Sequence, residues 1–158
     1  MKKIYFLFTI PILLGNCSSR YTTVSLNKID KERKEIVQNF AETYLKKCEN
    51  KDYSEFVGFN ISTKLQAKLV SDSLKRSCSY INYKNGKVKI EKLVSAHSPN
   101  YPKNFVDVFN FKLKTEKSAE PVYLHVGMYR DQNFIEMPFY FSADENYYET
   151  IRKKYYKK

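Results

Sequence analysis

The first half of the chain carries apolar residues at the spacing of an α-helix. Over residues 30–48 they recur every three or four positions, and lysine-rich positions fill the opposite face, which is the pattern of an amphipathic helix. Asp30 stands where an N-cap is expected. Two shorter helices are predicted to follow, one around residues 53–57 and one capped by Ser62. The latter would carry one apolar face over residues 65–74.

From residue 80 onward the apolar period changes to two, the period of a strand. Tyr80–Tyr83 is predicted as a short strand, because Asn85-Gly86 is a typical turn sequence. The alternation then predicts an antiparallel meander of about four strands, at residues 88–94, 105–114, 122–129 and 135–141. Helices followed by strands predict an α+β fold, in which the helices pack on the apolar face of the sheet.

The 158 residues suit a single domain with flanking segments. Residues 29–143 contain the predicted helices and strands and form the domain. Residues 17–28 are polar and lack a period, so they are interpreted as a tether. Residues 144–158 are predicted to form a C-terminal helix or tail that is basic and aromatic.

The N-terminus has the layout of a signal peptide. Lys2 and Lys3 form a basic start, and Ile4–Leu14 is an apolar run of 11 residues. A helix of this length covers only about half of a bilayer core of roughly 30 Å, so the segment is too short to span a membrane. The sequence therefore predicts export, with removal of residues 1–16.

The end of this segment resembles a bacterial lipoprotein signal. Leu14-Gly15-Asn16-Cys17 places an aliphatic residue three positions before a cysteine, although Asn16 departs from the small residues that are usual there. The resemblance implies that Cys17 is lipidated and holds the protein on a membrane of the bacterial envelope. The resemblance also favours the outer membrane, on its periplasmic face or at the cell surface, because Ser18 is not the aspartate that marks inner-membrane retention. The alternative is an ordinary secretory signal with an incidental cysteine.

The order of elements resembles the NTF2-like, or cystatin-like, fold. The resemblance rests on a long N-terminal helix, a Lys51-Asp52-Tyr53 step into shorter helices, and the following meander. It implies a strongly curved sheet that encloses a cone beside the first helix. The chain departs from the family's pattern at Gln132-Asn133-Phe134, where an Asp-Gly-x-Trp step often opens the last strand.

Two cysteines remain if Cys17 carries lipid. Cys48 and Cys78 are two in number, and in an oxidising compartment they can form a disulfide with each other. Two separate buried thiols are the alternative. Neither cysteine has a CxxC partner or a nearby histidine, so no metal site is expected.

The chain is strongly basic, with 28 Lys and Arg against 17 Asp and Glu. Its lysines are spread over predicted helix and strand exteriors, and only residues 152–158 form a cluster. Only five of the basic residues are arginines, the side chain that best recognises phosphate. Together with export, this argues against nucleic acid as a partner.

No catalytic or cofactor-binding motif is present, so no cofactor is expected. Asp107 is the one weak catalytic candidate, because it shares a predicted core face with three phenylalanines, where burial would raise its pKa. Exposure at the strand start, or pairing with a lysine, are the alternatives. His97 is interpreted as a solvated loop residue. His125 is interpreted as a cross-strand partner of a tyrosine or a carboxylate rather than as a base.

The polar face of the strand at residues 122–129 offers weak candidates for ligand binding, namely Tyr123, His125 and Tyr129. The expected function is a non-enzymatic module that binds an apolar small molecule or an envelope protein. The alternative is a small isomerase- or hydrolase-like enzyme that uses Asp107 on an apolar substrate.

Overall fold

A computed structural model describes residues 21–100, 105–130 and 132–155 of the chain. The signal segment and Cys17 lie outside the described residues. Among those residues, no helix has the length and apolar character needed to cross a membrane. The elements in chain order are β1 (Tyr21–Val24), a 3-10 turn (Leu26–Lys28), α1 (Lys31–Asn50), α2 (Thr63–Gln66), α3 (Ser71–Asn85), β2 (Val88–Pro99), β3 (Val106–Thr115), β4 (Val122–Tyr129), β5 (Ile135–Ser142) and α4 (Tyr147–Tyr155).

Helix α1 confirms the predicted first helix. The carboxylate of Asp30 accepts a hydrogen bond from the backbone N–H of Arg33 at 3.2 Å, which caps the helix. Lys51 ends it in the left-handed conformation, with φ of 55°. One face of the helix is buried against the sheet and consists of Val37, Phe40, Ala41, Tyr44, Leu45 and Cys48.

The segment after α1 differs from the prediction. Residues 53–57 form irregular backbone rather than a second helix, and Val57 is exposed. Ser62 does cap a helix, since its hydroxyl accepts a hydrogen bond from the backbone N–H of Leu65. That helix is only the four-residue α2, because the backbone turns before Val70 and restarts as α3.

The predicted strand at Tyr80–Tyr83 is wrong, because these residues belong to α3. Leu74, Cys78 and Ile81 are buried at helical spacing, so the apolar face continues past the position where a strand was expected. Gly86, with φ of 68°, ends the helix. The Asn85-Gly86 sequence therefore connects a helix to β2 instead of joining two strands.

The sheet has five antiparallel strands in the order β1-β2-β3-β4-β5. Four of them confirm the predicted meander. The fifth, β1, lies in the segment interpreted as a tether and pairs Tyr21 with Pro99 and Val24 with Ala96. Four residues are too few to show a period, although Thr22, Thr23 and Val24 are β-branched and suit a strand.

The sheet is open and does not form the predicted cone. Among the strands of the described residues, β1 and β5 are the two edges, and each has one neighbouring strand. Register shifts interrupt the β2–β3 pairing at two places and the β4–β5 pairing at one place. Such irregularities increase the local twist of a sheet without closing it.

Both faces of the sheet are covered. The face toward α1 is the main core, to which β3 and β4 contribute Phe109, Phe111, Leu113, Leu124, Val126 and Met128. The other face carries α4, whose Tyr148 stacks on Tyr21 of β1 with ring centroids 4.8 Å apart. The alternation predicted for β3 and β4 is therefore confirmed, except that Phe105 lies outside β3 and is partly exposed.

Helix α4 confirms the predicted C-terminal helix but not its basic character. Of the three cations in its last turn, Arg152 pairs with Glu149 and Lys153 with Asp144. Lys154 lies over the rings of Tyr140 and Tyr155. Residues 156–158 of the predicted basic tail lie outside the described residues.

A disulfide joins Cys48 near the end of α1 to Cys78 in the middle of α3. Of the two alternatives for these cysteines, the structure shows the bridge. Both residues are fully buried, and the backbone carbonyl of Cys48 also accepts a hydrogen bond from Asn82 Nδ2 at 3.1 Å. The bridge therefore fixes α3 to α1 across a sequence separation of 30 residues.

Replacing both Cys48 and Cys78 by alanine should lower the free energy of unfolding by about 3 kcal/mol. The reason is that the unfolded chain loses the restriction imposed by a closed loop of 30 residues. Urea unfolding of oxidised protein measures the difference. A reductant should lower the stability of the unmodified chain by a similar amount and leave the double variant unchanged. Equal stabilities of the oxidised chain and the double variant would contradict the prediction.

Candidate functional site

An aromatic surface lies between α1 and the outer edge of the sheet. Tyr44 of α1 packs against Phe139 of β5 with ring centroids 4.5 Å apart, and Phe141 follows at 6.1 Å from Phe139. These three side chains line a cavity of about 500 Å³. The cavity opens to solvent beside Tyr80, which is 64% exposed.

Two elements form the walls of this cavity. One wall is α3, which contributes Ser77, Tyr80, Ile81, Lys84 and Asn85 at the spacing of a single helix face. The other wall is the outer edge of the sheet, where five consecutive residues of β5 and its end, 139–143, line the cavity. The β3–β4 turn closes one end with Ser118, Glu120, Pro121 and Val122.

A second cavity of about 330 Å³ continues the first along the same two elements. It shares Tyr44, Ser77 and Phe139 with the first cavity and extends to Ser73 on α3 and Met137 on β5. We call the two together the α3–β5 groove. Its floor is aromatic, and its rim carries hydroxyl and charged side chains.

Tyr44 connects the floor of the groove to its wall. Burial raises the pKa of Tyr44 to about 12, and a hydrogen bond with Ser77 opposes that shift in part. The phenol therefore stays neutral at physiological pH. Because Tyr44 is only 2% exposed, its ring packs behind Phe139, and the half-buried rings of Phe139 and Phe141 form the accessible part of the floor. Such a floor suits apolar and aromatic groups, which gain from burial and from ring packing.

Asp107 lies on the core face of β3, as predicted, but not in an apolar pocket. One of its oxygens, Oδ2, accepts a hydrogen bond from Arg33 Nη1 at 3.0 Å. The other, Oδ1, accepts from Ser98 Oγ at 2.7 Å and from Arg130 Nη2 at 2.9 Å. The side chain is 8% exposed. Both oxygens are thus occupied by an ion-pair network that ties α1 to β2, β3 and the end of β4, and the residue does not line the α3–β5 groove.

The three candidates on β4 do not converge on one site. Tyr123 and Tyr129 lie near opposite ends of the strand, about 20 Å apart at the usual rise per residue. Tyr129 stacks on Phe134 with ring centroids 5.0 Å apart, and Tyr123 pairs with Lys112 and Ser142 in the sheet register. His125, between them, is buried under α4.

His125 belongs to a buried polar network on the face of the sheet that α4 covers. Its Nδ1 lies 2.7 Å from Asn110 Oδ1, and its Nε2 lies 2.7 Å from Ser142 Oγ. Asn110 also links to His97, whose Nδ1 lies 2.8 Å from Asn110 Nδ2. The prediction of a solvated His97 is wrong: this residue lies in β2 and is buried, with Tyr21 packed against the edge of its ring.

The order Asn110, His125, Ser142 is that of an orienting group, a base and a hydroxyl nucleophile. Its surroundings argue against that role. Ser142 Oγ also lies 2.8 Å from the carbonyl of Asp144, 3.2 Å from the backbone N–H of Asp144 and 3.2 Å from Thr150 Oγ1. The hydroxyl is therefore surrounded by polar partners on every side, and His125 has no exposed surface. We interpret the network as a support that holds the start of α4 on the sheet.

Burial changes the titration of both histidines. It lowers the pKa of His125 to about 4, and the neighbouring His97 contributes to the shift, while Asp144 opposes it. Burial also lowers the pKa of His97, and the negative charge of Glu145 opposes this shift. Both rings are therefore neutral at pH 7, which suits residues whose ring nitrogens contact neutral partners.

The described part of the chain brings no three His, Cys, Asp or Glu side chains close enough to hold a metal ion. The residues that form the groove differ from the predicted candidates. The period places Tyr44, Phe139 and Phe141 on core faces of their elements, and the sequence predicts Tyr80 in a short strand rather than in a helix. The period shows which face of an element is apolar but not which part of that face is left uncovered.

Comparisons with protein-family models, with curated proteins and with solved structures found no match to this chain.

The buried histidines predict a loss of stability in mild acid. Because their pKa values are lowered in the folded state, the unfolded chain binds protons first as the pH falls below about 6.5. The free energy of unfolding should therefore be highest above pH 6.5 and fall toward pH 4, with His125 contributing about 3 kcal/mol over the full range. Urea unfolding at pH 7.5, 6.5, 5.5 and 5.0 measures the decline.

The control is the double variant His97→Gln/His125→Gln, which lacks the titrating rings but keeps polar side chains. Its free energy of unfolding should change less between pH 6.5 and 5.0 than that of the unmodified chain. A flat profile of the unmodified chain over this window would show that the histidines are not buried in neutral form.

Proposed function

We propose that this chain is a lipid-anchored protein of the bacterial cell envelope that acts as a binding module, with the α3–β5 groove as its binding site. The observation that carries the proposal is the aromatic floor of the groove, which stays accessible between α3 and the sheet edge. The partly exposed rings of Phe139 and Phe141, which pack on the buried Tyr44, gain free energy when an apolar group covers them.

The envelope location rests on the N-terminal sequence and on the disulfide. The segment that ends in Leu14-Gly15-Asn16-Cys17 supports export and lipidation. The bridge between Cys48 and Cys78 fits this location, because disulfides persist in oxidising compartments such as the bacterial periplasm. The lipid on Cys17 would hold the module at a membrane surface, where we propose the outer membrane.

A relation to the NTF2-like fold remains part of the proposal. A long first helix followed by an antiparallel meander supports it. The ion pairs of Asp107 offer no support for the catalytic alternative, because Arg33 and Arg130 already occupy its carboxylate. We therefore favour binding over catalysis as the activity of this module.

Lipidation predicts that the chain incorporates radiolabelled palmitate in a bacterial host. Cys17→Ala should abolish the label, because the thiol is the attachment point. Ser18→Ala, a substitution at the next position, should leave it unchanged. Label on Cys17→Ala, or none on the unmodified chain, would overturn the lipoprotein assignment.

Groove binding predicts that the purified full chain increases the fluorescence of N-phenyl-1-naphthylamine, an apolar aromatic probe. Tyr80→Ala should weaken the affinity about fivefold, the effect of losing about 1 kcal/mol of apolar contact at the opening of the groove. Titration of the probe at constant protein concentration measures the dissociation constant.

Tyr83→Ala is the matched control. Tyr83 lies one turn further along α3, is 83% exposed and does not line the groove. Its replacement should leave the affinity unchanged. Equal effects of the two substitutions would place the probe elsewhere on the protein, and the absence of any probe binding would contradict the proposed function.

A further inference from the structure

We propose that the α3–β5 groove binds an extended, acidic peptide segment of a partner protein, which adds as a strand to the outer edge of β5. This inference rests on the proposed function, because it names the class of ligand that the same groove takes. The apolar group that covers the aromatic floor is then a side chain of this peptide.

The backbone of β5 lines the groove with unpaired polar groups. Strand β5 is an edge strand, so alternate N–H and C=O groups along its outer side point away from β4. Residues 139–143 line the groove without a gap, which brings this row of polar groups to its wall. A small apolar molecule leaves such groups without protein partners, whereas an extended chain offers donors and acceptors at the same spacing.

The same edge of β5 already pairs with an extended segment of the chain. At the start of β5, the N–H of Ile135 donates to the carbonyl of Asn60 at 2.9 Å, and the N–H of Ser62 donates to the carbonyl of Ile135 at 2.9 Å. Ile61 thereby forms a parallel bridge with Ile135. The groove continues along the edge beyond this bridge, so a bound peptide would extend an existing line of strand pairing.

The shape of the groove follows from the lengths of its two walls. Its α3 wall runs from Ser73 to Asn85, about 18 Å at the helical rise per residue. Its β5 wall runs from Met137 to Ala143, about 20 Å at the rise of a strand. Two walls of equal length fit a linear ligand of about six extended residues.

Charge identifies the kind of peptide. Lys68, Arg76 and Lys84 line the groove from the helical side, and none of the three has an ion-pair partner among the described residues. Glu120 is the acidic side chain that lines the groove. This excess of cations complements a peptide that carries carboxylates toward α3.

The alternation of side chains along an extended peptide allows one ligand to contact both the aromatic floor and the cationic rim. In an extended peptide, side chains point alternately to opposite sides. One set would face the partly exposed rings of Phe139 and Phe141 and would be apolar, while the other set would reach the cationic rim and would be acidic. The expected ligand therefore alternates apolar and acidic residues.

A peptide of sequence Asp-Val-Glu-Phe-Asp-Val-Glu-amide, with fluorescein on its N-terminal amine, tests the inference by fluorescence anisotropy with the full chain. It should bind and displace N-phenyl-1-naphthylamine. Two further peptides carry backbone N-methyl groups, one on the apolar residues and one on the acidic residues between them. Because only alternate N–H groups of a paired strand face its neighbour, one of the two should lose affinity at least about tenfold and the other should retain it.

Charge variants supply the matched controls. Lys84→Glu should weaken binding of the acidic peptide about fivefold. Lys75→Glu makes the same change on the same helix at a residue that does not line the groove, and it should have no effect. Hydrogen exchange of the backbone N–H groups at residues 139–143 should slow when the peptide is bound.

The remaining outcomes separate this inference from the proposed function. Probe binding without peptide binding would overturn the strand inference and leave the proposed function standing, whereas failure of both ligands would overturn both. Equal binding of the two N-methylated peptides would show that side chains alone hold the ligand. A dimer in sedimentation, with no peptide binding, would assign the edge of β5 to a second copy of this chain and overturn the inference.

Discussion

The groove depends on one covalent constraint, the disulfide between Cys48 and Cys78. It ties α3 to the end of α1, so that Leu74, Cys78 and Ile81 are buried while Tyr80 and Lys84 stay at the surface. The helix is thus held at α1 and leaves space beside β5. A helix packed directly on the edge of β5 would cover the aromatic floor and close that space, so the bridge both stabilises the fold and keeps the candidate site open.

The two faces of the sheet are stabilised by different means. Toward α1 the contact is apolar apart from the ion pairs of Asp107 with Arg33 and Arg130, which close one end of the core. Breaking a buried pair of this kind is costly, although its net contribution to stability is small. Toward α4 the contact is polar, with Asn110 joining His97 and His125. A network of this kind loses stability in acid, so α4 is the part of the fold most sensitive to pH.

The sequence predicted those features that depend on local patterns. The capped first helix at Asp30 and the inward faces of β3 and β4 follow from short-range spacing, and both are confirmed. Features that depend on long-range pairing were missed. Strand β1 exists because residues 96–99 of β2 offer it an edge, and His97 is buried because β1 and α4 cover it. The groove was missed for the same reason, since an apolar face shows no sign of being uncovered until its neighbours are placed.

An open edge strand can bind a partner, but its unpaired backbone groups also promote aggregation. In this fold α3 stands beside the edge of β5, so an incoming chain has to fit between a helix and an aromatic floor. The cations that line the groove also oppose a second copy of this chain, because that copy presents the same cations at its own β5 edge. The positive charge of the groove therefore disfavours self-association at this edge and favours acidic strands.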